Sequence, residues 1–394
     1  MSSCNFSSIL FIAAVVIYTF AVLTLFKDDN PVRLVSDYLY DLDHLDYLLH
    51  PRLSRHSVEA IYQFGDSLSD TGNFKVENPY SSFSQSPYGV TYFHKSTGRC
   101  SDGLLMIDYL AEFLNLPFVE PYLNKDGNFM HGANFAVVGA TALDTSTLQA
   151  KDIMPSFTNS SLFVQLEWFK THLTSICSNT SECKSKLSKA LFIVGEIGGN
   201  DYNFAISRGK PPSFLYQMVL EVVQAISKVV EELIGLGATQ VVLPGNILMG
   251  CMPVYLAGSI PNDSIFYDET KCIKILNDFA KFHNDQLHQA IRQLQLNHPD
   301  IAIVYMDLAK GMKKILHHPT SFGFDKNNIY RTCCGGHDDH NFNSSKLCGM
   351  YGVKACRHPE KYVNWDGYHL TSHAYKVITR RFISKSFYDF SAVS

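Results

Sequence analysis

The chain has little excess charge of either sign and no region of repeated or biased composition. Its 394 residues include 33 Lys and Arg against 37 Asp and Glu, which gives a formal net charge of −4. No basic stripe is present, and this argues against nucleic acid as a partner. Residues 58–385 contain no low-complexity linker, heptad run or internal repeat. We therefore expect one large domain, over residues 58–390.

Basic residues are missing before the long apolar run at the N-terminus. The run covers residues 9–26, and no clear small-x-small cleavage site follows it. It is long for a signal-peptide core and short for a membrane span. A cleaved signal peptide, a signal anchor and a misassigned N-terminus all remain open. We assign residues 1–30 to a signal peptide or signal anchor and residues 31–57 to an N-terminal extension. Either kind of leader would deliver the main domain to the far side of a membrane, where it would be secreted or lumenal.

Cysteine usage agrees with a secretory route. Of the ten cysteines, Cys4 lies in the N-terminal segment, which leaves nine and hence at least one free thiol. An oxidising compartment favours disulfides among the rest, although connectivity cannot be deduced from sequence alone. The plausible pairs are Cys177 with Cys183, Cys251 with Cys272, and Cys333, Cys334, Cys348 and Cys356 among themselves. Glycosylation sequons stand at Asn159, Asn179, Asn262 and Asn343.

Strand and helix patterns alternate along the chain. Short, continuous apolar strands of this kind are typical of a parallel sheet that is buried on both faces. The pattern predicts an α/β fold, a three-layer α/β/α sandwich. The first predicted strand contains Val58, Ala60, Ile61 and Tyr62, and the later ones cover 191–194, 240–243 and 301–305. The predicted helices cover 104–114, 214–234, 267–296 and 374–387.

The most informative stretch is FGDSLSDTGN, residues 64–73. It follows a predicted strand, so Ser67 should lie at the carboxyl edge of the sheet, where open α/β folds bind ligands. A serine hydroxyl there is a weak nucleophile unless a base removes its proton. The alternative is a turn serine that caps the next helix, and we expect Asp66 to hold the turn through backbone hydrogen bonds.

A carboxylate and an imidazole suited to that task lie near the C-terminus. Asp366 and His369 are three residues apart, just before a helix predicted to begin near Thr371. One turn brings the two side chains together, which fixes the tautomer of the histidine and stabilises the imidazolium. Taken singly, a loop histidine and a turn aspartate are the simpler interpretations.

Two glycine-bearing strand ends between these blocks offer hydrogen-bond donors for an oxyanion. They cover residues 134–141 and 193–201. The first offers the backbone N–H of Gly139 and the second the side-chain amide of Asn200. Gly132 is an alternative to Gly139, which we prefer because it lies at the C-terminal end of the strand. Asn200 could instead be a helix N-cap.

These four blocks, in this order, resemble the plant GDSL (SGNH) esterase/lipase family. The family pattern GDSxSDxGN, NFAxxGA, GxND and DxxH is present, and the resemblance covers about residues 58–385. Other stretches are similar to its acetylajmalan-esterase-like branch. The resemblance implies a flavodoxin-like central sheet, the SGNH hydrolase fold. It also implies Ser67 as nucleophile, His369 as base, Asp366 as the residue that orients it, and an oxyanion hole formed by Ser67 N–H, Gly139 N–H and Asn200.

One block departs from the family pattern. The family sequence LPPLGC is replaced here by LPGNILMGC, residues 243–251. Asn246 and Met249 indicate a loop with local differences. That block is not catalytic in the family, so the departure bears on specificity and not on chemistry.

The sequence therefore predicts a secreted serine esterase acting on a small-molecule carboxylic ester, with no metal or organic cofactor. The chain has only two tryptophans and no evident amphipathic lid. We therefore expect the substrate to be a soluble ester and not an ester at a lipid surface. A membrane is a partner only if the N-terminal segment stays uncleaved as an anchor. A zinc site at residues 333–340 is disfavoured, because the spacing fits no usual ligand pattern. The alternatives are an acyltransferase that uses the same acyl-serine, and a non-catalytic modifier or binding protein that keeps the fold.

Overall fold

A five-stranded sheet, parallel throughout, organises the part of the chain that the structure describes. The structure is a computed structural model, and it describes residues 52–258, 264–336 and 340–387. The strand order is β2-β1-β3-β4-β5, the flavodoxin-like arrangement. The strands are β1 Ala60–Phe64, β2 Gly132–Asn134, β3 Ala190–Val194, β4 Gln240–Pro244 and β5 Ala302–Met306.

The central strands are buried along almost their whole length, with only Ala60 of β1 partly exposed, which is why they show no polar alternation. In β3, Leu191 and Ile193 pack on one side of the sheet, and Phe192 and Val194 pack on the other. Ile61 of β1 is in register with Leu191. Because both faces are covered, the predicted three-layer α/β/α sandwich is confirmed.

Helices form the two outer layers. They are α1 Asn73–Glu77, α2 Met106–Leu114, α3 Thr145–Gln149, α4 Leu162–Ile176, α5 Thr180–Leu187, α6 Gly199–Ser207, α7 Pro212–Leu236, α8 Pro253–Leu256, α9 Lys274–Asn297, α10 Leu308–His317 and α11 Ser372–Ser386. The long helices α4, α7 and α9 bury their apolar faces against one side of the sheet. Helices α2, α10 and α11 pack against the other side.

The helix predicted over residues 267–296 begins later than expected, at Lys274. Asp268 explains the difference, because one of its carboxylate oxygens accepts hydrogen bonds from the backbone N–H groups of Thr270 and Cys272 at 2.9 and 3.1 Å. Cys272 is in turn joined to Cys251. A side chain that bonds its own following backbone competes with helix formation, so this segment forms a turn.

Four disulfides are present in the described residues. They join Cys177 to Cys183, Cys251 to Cys272, Cys333 to Cys356, and Cys334 to Cys348. Cys100 is a buried free thiol, as the odd count of cysteines requires. The thiols of Cys333 and Cys334 are therefore consumed in disulfides and cannot serve as zinc ligands, while residues 337–339 of the same cluster lie outside the described part of the chain.

The end of the predicted N-terminal extension packs on the domain. Leu53 is buried, and its N–H donates to Ser386 O at 2.9 Å at the end of α11. The predicted leader, residues 1–30, and the sequon at Asn262 lie outside the described residues. Among the residues that are described, no helix has both the length and the apolar character needed to cross a membrane.

Candidate active site

The carboxyl ends of β1, β2 and β3 deliver the predicted residues to one cavity. Ser67 follows β1, Gly139 lies in the chain beyond β2, and Asn200 follows β3. All three line a cavity of about 430 Å³ together with His369, which comes from the far end of the chain. The convergence follows from topology, because parallel strands end at the same edge of a sheet.

The Asp366–His369 segment is a tight turn held by the aspartate itself. Asp366 Oδ1 accepts the backbone N–H of Tyr368 at 3.0 Å and of His369 at 2.9 Å. Its other oxygen, Oδ2, lies 2.7 Å from His369 Nδ1. Gly367 has φ +100°, and a Cβ there would lie 2.4 Å from the ring of Phe342. The predicted pairing of carboxylate and imidazole is thus present, and because Asp366 engages Nδ1, Nε2 is left as the acceptor nitrogen of a residue that lines the cavity.

A buried tyrosine, Tyr88, bonds the same carboxylate. Its hydroxyl donates to Asp366 Oδ2 at 2.6 Å across a sequence separation of 278 residues. Burial opposes ionisation of Asp366, but the charge and hydrogen bond of His369 and the hydrogen bond of Tyr88 outweigh it and keep the pKa of Asp366 below its ordinary value. Tyr88 was not predicted, because its only signal in the sequence was its place in residues 87–93, one of the stretches similar to the plant branch.

Replacement of Tyr88 by phenylalanine is expected to lower kcat for ester hydrolysis about tenfold to a hundredfold while KM stays unchanged. Hydrogen bonds to charged groups are worth about 1.5–3 kcal/mol, and this one acts on the carboxylate that pairs with His369. The matched control is Tyr202→Phe, which removes the buried hydrogen bond from Tyr202 to His283. Equal loss of kcat in both variants would contradict a positioning role for Tyr88.

The backbone N–H groups of Ser67 and Gly139 have no acceptor within the described residues, and both residues line the cavity. Strand β2 is shorter than predicted and ends at Asn134, so Gly139 lies in a turn, where its φ is +79°. The alternative, Gly132, opens β2 at the opposite edge of the sheet. Unpaired backbone N–H groups are one kind of donor that can hold an oxyanion, so the predicted role of Gly139 stays a prediction with a donor available for it.

Asn200 lies in the first turn of α6, whose N-cap is Gly198, so the alternative interpretation of Asn200 as the N-cap is wrong. Its amide nitrogen donates to Asp66 Oδ2 and to Ala140 O, both at 3.0 Å. Both amide hydrogens are thus directed at protein acceptors. Donation to an oxyanion would therefore require one of these two bonds to be shared.

Buried aspartates of the motifs tie the strand-end loops to one another. Asp70 accepts the backbone N–H groups of Phe74 and Val138 at 3.0 and 2.9 Å, which links the serine turn to the Gly139 turn. Asp201 accepts the N–H groups of Ala142 and Leu143 at 2.8 and 3.0 Å. Asp66 holds its own turn as predicted, since it accepts Leu68 N–H at 3.0 Å. Its bond to Asn200 and the loop contacts of Asp70 and Asp201 were not foreseen.

The free energy of unfolding is expected to increase as the pH is lowered from about 8 to about 5. Burial raises the pKa of Asp66 and Asp70 to about 6 and that of Asp201 to about 7. In this window the folded protein therefore holds protons that the unfolded chain, with ordinary values near 4, has released. Each such proton changes stability by about 1.4 kcal/mol per pH unit.

His283 offsets part of this effect, because burial lowers its pKa to about 4. Its charged form is excluded from the folded state, so it destabilises the protein as the pH falls below about 6.5. Urea titrations across this pH range would measure the net slope, and Asp201→Asn should reduce it. An Asp201→Asn variant with the same slope as the unaltered protein would show that Asp201 is ionised in the fold.

Apolar side chains form most of the remaining cavity wall. Phe83 packs edge-on against the His369 ring, with centroids 5.8 Å apart. A hydrophobic wall around a few convergent polar groups is the usual composition of a small-molecule site. The apolar lining includes Leu68, Phe83, Phe157, Phe204, Ile247, Met249 and Met252.

The family to which the chain belongs identifies the class of enzyme. The model of the GDSL-like lipase/acylhydrolase family matches residues 61–382, so the chain belongs to this family. It is therefore a serine hydrolase of ester substrates, a carboxylic ester hydrolase.

Curated relatives agree with this assignment. The chain is 42% identical to a GDSL esterase/lipase of Arabidopsis thaliana over 329 residues, which cover 82% of this chain and 83% of the relative. It is 40% identical to a second Arabidopsis thaliana GDSL esterase/lipase over 358 residues, covering 88% and 92% of the two chains. Membership of the acetylajmalan-esterase-like branch stays a prediction.

Proposed function

We propose that the protein is a secreted esterase that hydrolyses a small soluble carboxylic ester through a Ser67–His369–Asp366 triad. The observation that carries the proposal is the bond between His369 Nδ1 and Asp366 Oδ2, 2.7 Å long, in a cavity that also contains Ser67 and two unpaired backbone donors. A carboxylate on Nδ1 leaves Nε2 free to accept a proton, as a general base must.

In the first half-reaction, Ser67 Oγ attacks the ester carbonyl carbon and its proton passes to His369 Nε2. Asp366 stabilises the resulting imidazolium. The carbonyl oxygen becomes an oxyanion that accepts hydrogen bonds from Ser67 N–H and Gly139 N–H, with Asn200 as a third donor that shares its bond to Asp66 or Ala140. When the carbon–oxygen bond of the ester breaks, Nε2 returns the proton to the leaving alcohol and an acyl-serine remains.

Water completes the cycle in the second half-reaction. His369 removes a proton from water as the oxygen attacks the acyl carbon, and the same two N–H groups hold the second oxyanion. Collapse releases the carboxylic acid, and Ser67 recovers its proton from His369. None of these steps needs a metal or an organic cofactor, because the protein supplies the nucleophile, the base and the donors.

Cavity size and lining support a small ester as the substrate. About 430 Å³ is near the lower end of the range for small-molecule pockets. An apolar wall favours the hydrocarbon part of an ester.

Secretion is supported by the four disulfides, which form and persist in oxidising compartments. The sequons at Asn159 and Asn179 lie on exposed residues. We assign residues 58–390 to a single catalytic domain, which follows a signal peptide or signal anchor.

The test is fluorophosphonate labelling followed by product analysis. Peptide mass spectrometry should place the adduct on Ser67. Acetyl and phenolic esters should yield free acid even when excess alcohol acceptor is present. If the acyl group were transferred to the alcohol and not to water, the protein would be an acyltransferase and not an esterase. A folded protein that neither takes the label nor cleaves an ester would be a binding protein.

A further inference from the structure

A phenylalanine side chain packs directly on the glycine of the proposed oxyanion hole. Phe157 lines the cavity and is 42% exposed, so it forms part of the cavity rim. A Cβ added at Gly139 would lie 2.5 Å from Phe157 Cβ and 3.0 Å from two atoms of its ring. These distances are too short for any side chain at position 139, so the phenylalanine and the glycine turn are in contact.

Two further rings of the cavity wall pack against Phe157. Phe83 lies edge-on to it, with centroids 5.9 Å apart, and the centroid of Phe204 is 6.2 Å away. Phe83 is the same residue that packs edge-on against the ring of His369 at 5.8 Å. Aromatic rings at these distances and angles attract one another. A continuous wall therefore runs from His369 through Phe83 and Phe157 to Gly139.

A single carboxylate anchors the segment that carries Phe157. Thr158 Oγ1 donates to Glu77 Oε2, and Ser160 Oγ donates to Glu77 Oε1, both at 2.7 Å. Glu77 is the last residue of α1, the helix that follows the Ser67 turn. Hydrogen bonds to a carboxylate are stronger than those between neutral groups. The place of Phe157 is therefore set before a substrate binds, which reduces the ordering cost of binding.

The chemistry of the proposed cycle decides which half of an ester meets this ring. His369 returns a proton to the leaving alcohol, so the alcohol oxygen lies beside the imidazole. The carbonyl oxygen is directed at the N–H groups of Ser67 and Gly139. Phe157 contacts Gly139 and is separated from His369 by the ring of Phe83. It therefore faces the acyl group and not the alcohol.

We propose that Phe157 is the specificity-determining residue for the acyl group, and that it excludes bulk on the carbon atom next to the ester carbonyl. Its contact with Gly139 places the ring close to that carbon, so a straight chain passes while a branched one meets the ring. Glu77 is the positioning residue that fixes the ring. The preferred substrates are thus esters of acids that are unbranched beside the carbonyl, and this specificity rests on the esterase proposed above.

The experiment varies the acyl group while the alcohol stays the same, with p-nitrophenyl propionate and p-nitrophenyl isobutyrate as the pair. Phe157→Ala should raise kcat/KM for the isobutyrate relative to the propionate about tenfold to a hundredfold, the usual effect of one carbon atom in an apolar pocket. Glu77→Gln replaces one acceptor oxygen by an NH₂ group and so breaks one of the two hydroxyl bonds. It should shift the ratio in the same direction by less, and it decides the matter if the alanine variant does not fold.

The matched control is Phe266→Ala, which removes a ring of similar exposure, 40%, outside the cavity and should leave the ratio unchanged. A second pair, propyl acetate and isopropyl acetate, varies the alcohol, and its ratio should not respond to Phe157→Ala. An acyl ratio that stays constant, or a shift as large in the alcohol pair, would overturn the role of Phe157. Such results with esters still cleaved contradict only this specificity, whereas no turnover and no labelling of Ser67 in the unaltered protein contradict the esterase itself.

Discussion

Replacement of Ser67 by alanine is expected to lower kcat for ester hydrolysis by at least about 10⁴-fold, with little change in KM. The variant keeps the cavity and its donors but has no hydroxyl to form the acyl-enzyme. Only uncatalysed attack by water on a bound, polarised ester remains. Steady-state kinetics on a chromogenic acetyl ester measures the loss, and intact mass after fluorophosphonate treatment should show no adduct.

Ser69→Ala is the matched control for this variant. Ser69 lies in the same turn, and its hydroxyl is buried without a partner and outside the cavity. Its loss should leave turnover and labelling near those of the unaltered protein. If Ser67→Ala retained most of the activity, or if both variants lost it equally, Ser67 would not be the nucleophile.

Replacement of Asp366 by asparagine is expected to lower kcat about 10³- to 10⁴-fold with little change in thermal stability. Four donors surround this side chain: two backbone N–H groups on Oδ1, and the His369 ring and the Tyr88 hydroxyl on Oδ2. An asparagine that keeps its oxygen on the backbone groups presents an NH₂ group to His369 Nδ1. The imidazole then carries its proton on Nε2 and cannot accept one from Ser67.

Nitrogen NMR of the imidazole would detect the change of tautomer directly. The control is Asp102→Asn, since Asp102 is a buried carboxylate that accepts the backbone N–H of Ser372 at 2.7 Å. Its substitution should affect stability more than kcat. An Asp366→Asn variant with the original tautomer and full activity would contradict the role assigned to Asp366.

Local chemistry made the candidate site predictable. Ser67 was placed at a strand end because a buried strand precedes it and turn residues surround it. The pairing of Asp366 with His369 followed from a spacing of three residues, and the structure contains it at 2.7 Å. Such features depend on a few neighbouring residues, and these have few conformations open to them. The parallel sheet could also be predicted from the sequence, because strands that are buried on both faces leave a continuous apolar pattern.

The predictions that failed concern competition between local groups. The helix predicted from residue 267 fits its apolar period, yet Asp268 bonds the following backbone and delays the helix to Lys274. The alternative interpretation of Asn200 as an N-cap failed for a similar reason, because Gly198 takes that position, while the oxyanion role of Asn200 stays a prediction. Periodicity and propensity describe average behaviour, so they do not register one side chain that offers the backbone an alternative bond.

The sequence by itself determined the fold class, the family and the residues able to act as nucleophile, base and donors, because these depend on short-range patterns. Only the tertiary structure brought Tyr88 to Asp366 and Asn200 to Asp66. These contacts join residues far apart in the chain. Their geometry arises from the packing of whole strands and helices, which no local spacing encodes.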